Sequence, residues 1–283
     1  MNAPTIKMKR KANVWKRLKR LATIAFTMYL GALILLMFLE RTLLFPAPAV
    51  EYGDWRPEHF GAEEFYAEST GKARVHLWSF AKANSKKTIL FCHGNGETLG
   101  YLGLGLAEIR DRWNVNIIAF DYRGYGKTGG DANEVDILAD SVAVAKWVKS
   151  NPRYRDHQLV AMGRSLGGAT AVEIATKTKV DGLILDRTFS SIVDIAAERY
   201  YFFPIRLVMR NQFRSIEKMP SYTGPLLQMH GDADEVVPHH FGKKLFDACS
   251  SKQKEFVTLV GLQHNDRWPE SFWEQGKRFI DKL

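Results

Sequence analysis

Short runs of aliphatic and β-branched residues recur along this chain at 74–80, 88–92, 115–120, 159–162, 182–185, 226–229 and 255–260. Several are apolar at nearly every position, as expected of strands covered on both faces. Between most of them lie segments of helical length. The stretch 134–148 sets Val135, Leu138, Val142, Ala145 and Val148 at three- and four-residue spacing, an amphipathic stripe. The spans 166–176, 241–248 and 272–283 behave similarly. This alternation predicts an α/β fold, with a mainly parallel central sheet and helices on both faces. In such sheets the functional residues sit just beyond the carboxyl ends of strands, which confines the search for a site.

The N-terminus follows a different rule. Lys7, Lys9, Arg10, Lys11, Lys16, Arg17, Lys19 and Arg20 fall within twenty residues that hold no Asp or Glu. The chain carries a formal net charge of +9, so the rest of it is close to neutral. That excludes a basic stripe along the fold of the kind nucleic acid requires, and no nucleic-acid partner is expected. Residues 21–39 then run for nineteen positions without a charge. As a helix they would span roughly 28 Å, close to a bilayer's hydrocarbon core. A cleavable signal peptide usually has a shorter apolar region of about 7–15 residues. The small-residue site Ala47-Pro48-Ala49 is also separated from the run by Glu40 and Arg41. The expected organisation is a basic cytoplasmic tail at 1–20, a transmembrane anchor helix at 21–44 and a catalytic domain at 45–283. The basic flank places the N-terminus in the cytoplasm and the catalytic domain on the non-cytoplasmic side of a single-pass membrane protein.

Immediately after the run ending at Met162 stands Gly163-Arg164-Ser165-Leu166-Gly167-Gly168, followed by a helical pattern. This is G-x-S-x-G in a strand–turn–helix context. A serine on so sharp a turn is held in a strained conformation that exposes its hydroxyl, and side chains two residues either way would collide. Ser165 is therefore the candidate nucleophile, with Gly163 and Gly167 forming its elbow. The helix that follows aims its first amides at negative charge developing beside the serine. A serine hydroxyl needs a general base held by an acid. Both are expected downstream, the acid first and the histidine last. Of His230, His239, His240 and His264, only His264 follows the last strand-like run, so His264 is the candidate base. For the acid, Asp232, Asp234 and Glu235 in the loop after Met229 compete with Asp186, and spacing does not separate them. The first oxyanion donor is the amide of Leu166; a second is expected in the loop after Cys92.

Five ordered strings carry a resemblance: His93-Gly94-Asn95-Gly96-Glu97, Asp121-Tyr122-Arg123-Gly124-Tyr125-Gly126, the serine turn, the H-G-x-x-D-x-x-V-P loop from His230, and Gly261-x-x-His264-Asn265-Asp266. Together they resemble the α/β-hydrolases, and more narrowly the membrane-anchored α/β-hydrolase domain-containing proteins, a branch that includes protein depalmitoylases. The resemblance runs from about residue 45 to the C-terminus. It implies an α/β-hydrolase fold, hydrolysis of carboxylic esters or thioesters, and a Ser165, Asp234, His264 triad. It also points to the Asn95 amide as the second oxyanion donor, with Gly96 as the alternative. The segment 186–225, between the runs ending at Leu185 and starting at Leu226, is too short for a large cap domain and is expected to form a small helical lid.

Nucleotide chemistry has no footing. Gly126-Lys127-Thr128 ends like a phosphate-binding loop, but the glycine required five residues earlier is Asp121; the stretch from Gly94 has Leu99 where a dinucleotide fingerprint needs its third glycine. No cofactor, nucleotide or metal is expected. Two cysteines, Cys92 and Cys249, exclude a disulfide scaffold and a four-cysteine zinc module. The apolar stretches 200–205 and 207–209 inside the lid are expected either to pack on the core or to form a groove for the acyl part of a lipid-like ester. Membrane lipids are the second expected partner, met by the apolar helix and the basic tail.

Overall fold

In a computed structural model of the chain, residues 3–283 are described, with side chains from Asn13 onward except that of Lys72. The four cations before residue 13 thus lie outside the described side chains. The chain divides into two compact units, residues 1–43 and 44–283.

The first unit is one helix, α1 (Ala3–Leu44), which begins well before the uncharged run and carries the basic segment on the same rod. Its stretch Asn13–Leu44 is long and apolar enough to cross a membrane. Leu21, Phe26, Met28 and Phe38 are exposed along it, which is not how the central helix of a soluble core looks.

In the second unit the described residues form one sheet of β1 (Glu63–Glu68), β2 (Arg74–Phe80), β3 (Lys87–Cys92), β4 (Asn116–Phe120), β5 (Gln158–Arg164), β6 (Gly182–Asp186), β7 (Leu226–Gly231) and β8 (Lys254–Leu259). The order is β1-β2-β4-β3-β5-β6-β7-β8; β1 and β2 pair antiparallel, and everything from β4 to β8 runs parallel. The helices are α2 (Leu99–Trp113), α3 (Glu134–Ser150), α4 (Leu166–Lys177), α5 (Ile192–Arg199), α6 (Ile205–Val208), α7 (Ser215–Lys218), α8 (His239–Ala248) and α9 (Glu270–Lys282).

The two-residue period of β3 shows why both faces need cover. Leu90 and Cys92 enter a core shared with α3, α4 and α8, whereas Ile89 and Phe91 enter one shared with α2 and α9. The parallel register brings the carboxyl ends of β3, β5, β6 and β7 together along one edge. Cys92 lies beside Gly163, Arg164 beside Asp186, and Asp186 beside Met229. The loops leaving that edge hold the predicted site residues.

Candidate active site

Ser165 sits between β5 and α4 with φ 52° and ψ −119°, a region that costs a non-glycine residue about 1–3 kcal/mol. The turn is fixed from several sides. The Ser165 amide donates to the Asp186 carbonyl at 2.9 Å, and the Thr188 hydroxyl donates to the Ser165 carbonyl at 2.7 Å. A Cβ on Gly163 would stand 2.1 Å from the Gly167 carbonyl oxygen, and one on Gly167 only 2.0 Å from that of Cys92. Both contacts are with backbone, so neither can be relieved by a side-chain rotation. The elbow thus has a steric reason for each glycine.

His264 reaches this serine from the loop between β8 and α9. Its Nε2 lies 3.1 Å from Ser165 Oγ, and its Nδ1 lies 2.7 Å from Asp234 Oδ2. With Nδ1–H donated to the carboxylate, Nε2 presents its lone pair to the serine hydroxyl. The other Asp234 oxygen accepts the amides of Val236 at 2.9 Å and Val237 at 2.8 Å. Burial works to raise the Asp234 carboxyl. The imidazoles of His230 and His264 and the Val237 amide outweigh it and hold the group well below the ordinary carboxylate range. His230 is 3.5 Å from Asp234 and donates Nε2–H instead to the Val237 carbonyl at 2.8 Å, bracing the same loop.

The other carboxylates are occupied elsewhere. Asp232 accepts the Gly261 amide at 2.6 Å, Glu235 is exposed, and Asp186 is wholly buried against Arg187. Arg187 Nε and one terminal nitrogen donate to the two Asp186 oxygens at 3.0 Å each, and Trp268 Nε1 donates to Oδ2 at 2.8 Å. Burial would raise the Asp186 carboxyl, but Arg187, Arg164 and Trp268 together hold it lowered. The remaining Arg187 nitrogen donates to the carbonyls of Gln263, His264 and Asp266 at 3.2, 2.9 and 2.9 Å. Asp186 therefore meets the loop of His264 through Arg187 and Trp268 and not through the imidazole. Sequence reading passed over Arg187, because an arginine after a strand looks like a solvated charge; here it is 1% exposed.

The loop after β3 supplies the other wall. Glu97 accepts the Gly94 amide at 2.6 Å and is ion-paired to Arg164, which also donates to the His264 carbonyl at 3.2 Å. The Asn95 side chain donates Nδ2–H to the Leu44 carbonyl and accepts the Tyr125 hydroxyl, both at 2.6 Å. Gly96, with φ 76°, keeps the turn open. His93 is buried against Tyr122, with Nδ1 bound to the Gly94 carbonyl, and burial lowers its pKa. Cys92, the other nearby nucleophile, is wholly buried and its thiol is pushed up to about 12, so it carries no thiolate.

These walls enclose a cavity of about 260 Å³ lined by Gly94, Asn95, Ser165, Leu166 and His264 on its polar side. Phe189, Ile192, Ile195, Val236 and Val237 line it on the apolar side. The stretches 200–205 and 207–209 do not line it. Tyr200, Tyr201, Phe202 and Leu207 are 46%, 71%, 71% and 86% exposed, and of this group Ile205 alone is buried. The apolar residues of the lid that meet the cavity are Phe189, Ile192 and Ile195, five or more residues before Tyr200, where α5 has ended.

A serine on a strained strand-to-helix turn, with a histidine and a buried aspartate in hydrogen-bond sequence at the carboxyl edge of a mainly parallel sheet, defines a protein of the hydrolase-fold class. Residues 83–209 match the family described as serine aminopeptidase, S33. The chain is 31% identical to human alpha/beta hydrolase domain-containing protein 17B over 247 residues, covering 82% of this chain and 81% of that one. It is 29% identical to an uncharacterized membrane protein of Saccharomyces cerevisiae, over 73% of this chain and 75% of the relative. Among solved structures, Pyrococcus furiosus esterase Pf2001 superposes with a TM-score of 0.69 at 18% identity, covering 84% of this chain and 99% of the esterase. The chain belongs to the α/β-hydrolase superfamily.

Proposed function

We propose that this protein is a serine hydrolase of carboxylic esters or thioesters, acting through an acyl-enzyme, with acyl or lipid-like substrates. The observation that carries the reading is the unbroken sequence Ser165 Oγ, His264 imidazole, Asp234 carboxylate at 3.1 and 2.7 Å. Ser165 attacks the carbonyl carbon while His264 Nε2 takes its proton, and Asp234 holds the imidazole in the required tautomer. The tetrahedral oxyanion is received by the amides of Leu166 and Asn95; Gly94 is not available for this, since its amide is bound by Glu97. His264 then protonates the leaving alcohol or thiol, and water releases the acyl group through the same residues. The apolar wall of α5 and residues 236–237 suits the acyl portion. A fluorophosphonate probe should label Ser165 in the full chain, and Ser165→Ala should abolish both labelling and ester turnover. Turnover surviving that substitution would sink the proposal, and a folded chain that never labels would favour a silent scaffold.

The family description names an aminopeptidase, which raises amide hydrolysis as a second reading. An aminopeptidase needs an acidic group left over for the substrate ammonium. Glu97 lines the cavity, but its carboxylate is taken by Arg164 and the Gly94 amide. Ester cleavage is the better fit.

We further propose that α1 anchors the enzyme in a membrane with its basic end in the cytoplasm and residues 45–283 on the other side. Its length, its exposed apolar surface and the likeness to a yeast membrane protein support the anchor, and the cations ahead of the apolar run support the orientation. Protease treatment of sealed vesicles that destroys the catalytic domain from the cytoplasmic face would reverse the orientation.

A further inference from the structure

The lid carries more apolar surface outside than its place in the fold explains. Between Tyr200 and Leu207 the chain exposes Tyr200, Tyr201, Phe202 and Leu207, with the Tyr201 and Phe202 rings in contact at 3.9 Å between centroids. Single exposed apolar residues are ordinary, but a contiguous group of large ones marks a surface that meets something. Val236 extends the group towards the cavity, being 47% exposed and also part of the cavity wall. Arg199 donates to the Glu235 carbonyl and thereby holds the end of α5 against that loop. Arg206, paired with Asp194 and 60% exposed, stands beside Leu207. Tyrosines with an apolar body and a polar tip, an exposed leucine and neighbouring arginines make the composition of a membrane–water interface.

The place where the chain enters the catalytic unit lies on this same lid. The carbonyl of Leu44, the last residue of α1, is held by Asn95 at the cavity mouth. Phe45 is buried and meets the ring of Phe213 edge-on at 6.2 Å between centroids. Phe213 belongs to the lid, and the Gln212 carbonyl beside it accepts the amides of Ile192 and Val193 in α5. Residues 44 and 45, the first of the catalytic unit, are therefore held by a residue of the cavity wall and by the lid.

We propose that the outer face of the lid, centred on Tyr200, Tyr201 and Leu207, docks on the lipid bilayer that α1 crosses. An acyl chain would then pass from the bilayer over Val236 to Ser165 without crossing water. The inference rests on the anchored-hydrolase reading and deepens it by assigning the face that meets the lipid.

The test uses the full chain in phosphatidylcholine–phosphatidylserine vesicles. Cys92 and Cys249 are both buried, so a cysteine introduced as Leu207→Cys can be labelled selectively with an environment-sensitive fluorophore. Asp156→Cys is the control, 80% exposed and just ahead of β5, at the opposite edge of the sheet. The 207 label should shift to the blue and be quenched by lipids brominated on the acyl chain, and the 156 label should do neither. Flotation with the vesicles reports the anchor independently. A chain that floats with both labels equally water-exposed overturns the docking face alone, whereas a chain that does not float overturns the anchor and the face together. In a second arm, Tyr201→Ser combined with Leu207→Ser should raise the KM for a long-chain ester resident in the vesicles about tenfold, and leave hydrolysis of a soluble short-chain ester unchanged. Equal loss on both esters, or on neither, overturns the proposal. A parent chain that hydrolyses neither ester removes the hydrolase reading while the quenching result still decides the docking face.

Discussion

Replacing Asp234 by asparagine tests the acid assignment through a consequence of hydrogen-bond direction. One Asp234 oxygen accepts two backbone amides, from Val236 and Val237, at 2.9 and 2.8 Å. An asparagine must therefore turn its own carbonyl oxygen to those donors, because an NH2 facing two N–H groups would leave three donors with no acceptor. Its NH2 then faces His264 Nδ1 across the 2.7 Å now held by the carboxylate. The imidazole must accept there, so its proton moves to Nε2, the atom that should receive the serine proton. Geometry survives and chemistry does not. A tautomer error of this kind lowers kcat by about 10⁴. The measurement is kcat for a soluble short-chain ester at neutral pH, with the rate of fluorophosphonate labelling and a thermal melt alongside. Asp186→Asn supplies the contrast. It leaves Arg187 buried without its counter-ion, a loss of about 3–5 kcal/mol in stability, but does not touch the imidazole. Asp234→Asn within tenfold of the parent, with Asp186→Asn falling by thousands in a folded chain, would move the acid to Asp186 and refute the reasoning.

Three further outcomes follow from the same geometry. Gly167→Ala brings a Cβ within 2.0 Å of the Cys92 carbonyl oxygen, a backbone atom, and should cost about 3 kcal/mol or more of stability by denaturant titration. Tyr125→Phe removes the hydroxyl that fixes the Asn95 side chain; at about 1 kcal/mol, kcat should fall about fivefold with KM unchanged, and a change in KM alone would detach Tyr125 from the oxyanion loop. Asp234 and Asp186 both have lowered folded pKa values, against about 3.9 for an unfolded aspartate. Their contribution to stability is complete above that value and is lost as pH falls through the folded ones. Urea midpoints should thus hold from neutral pH to about 5 and drop steeply below about 4, less steeply in Asp186→Asn.

The readable parts of this sequence are those where one residue type alone can occupy a position. Gly163 and Gly167 face backbone at 2.1 and 2.0 Å, so the elbow is written in the sequence as plainly as in the structure. The buried parallel strands were equally plain, since cover on both faces forces nearly continuous apolar runs. The edge strand β1 was not. It has Glu at positions 63, 64 and 68 and buries only Ala67, so no alternation marks it. Helix α2 was masked by Gly100, Gly103 and Gly105, which weaken any helical pattern. A Cβ at Gly100 or Gly103 would meet the rings of Trp55 or Phe60 at 2.8 and 2.5 Å, a contact no local rule foresees. The lid failed differently. Its apolar residues are visible at once, but composition carries no direction, and burial and exposure of the same side chains produce the same string. The acid lay between these cases: four carboxylates compete in the sequence, and the choice depends on which are already claimed by Arg187, by a turn amide or by solvent.

Arg164 and Arg187 show how loops that leave different strands are tied into one site. The strained Ser165 is flanked by the last residue of β5, and that residue, Arg164, is ion-paired to Glu97 on the oxyanion side and donates to the His264 carbonyl on the other. Arg187, one residue beyond β6 and itself at φ 46°, donates to three carbonyls of the histidine loop from a wholly buried position. Both arginines issue from adjacent central strands whose register is fixed by the pairing of Arg164 with Asp186. The loops therefore inherit their spacing from the sheet rather than from their own packing. Planar guanidinium forks suit this task because each spans several acceptors at once, which a lysine ammonium on a flexible stem does not. Arg187→Lys should accordingly keep the charge opposite Asp186 yet release the histidine loop. The expected signature is a fall in kcat larger than the loss of stability explains, with fluorophosphonate labelling slowed in proportion. A variant with the parent's kcat and a lower melting temperature would confine Arg187 to holding the fold.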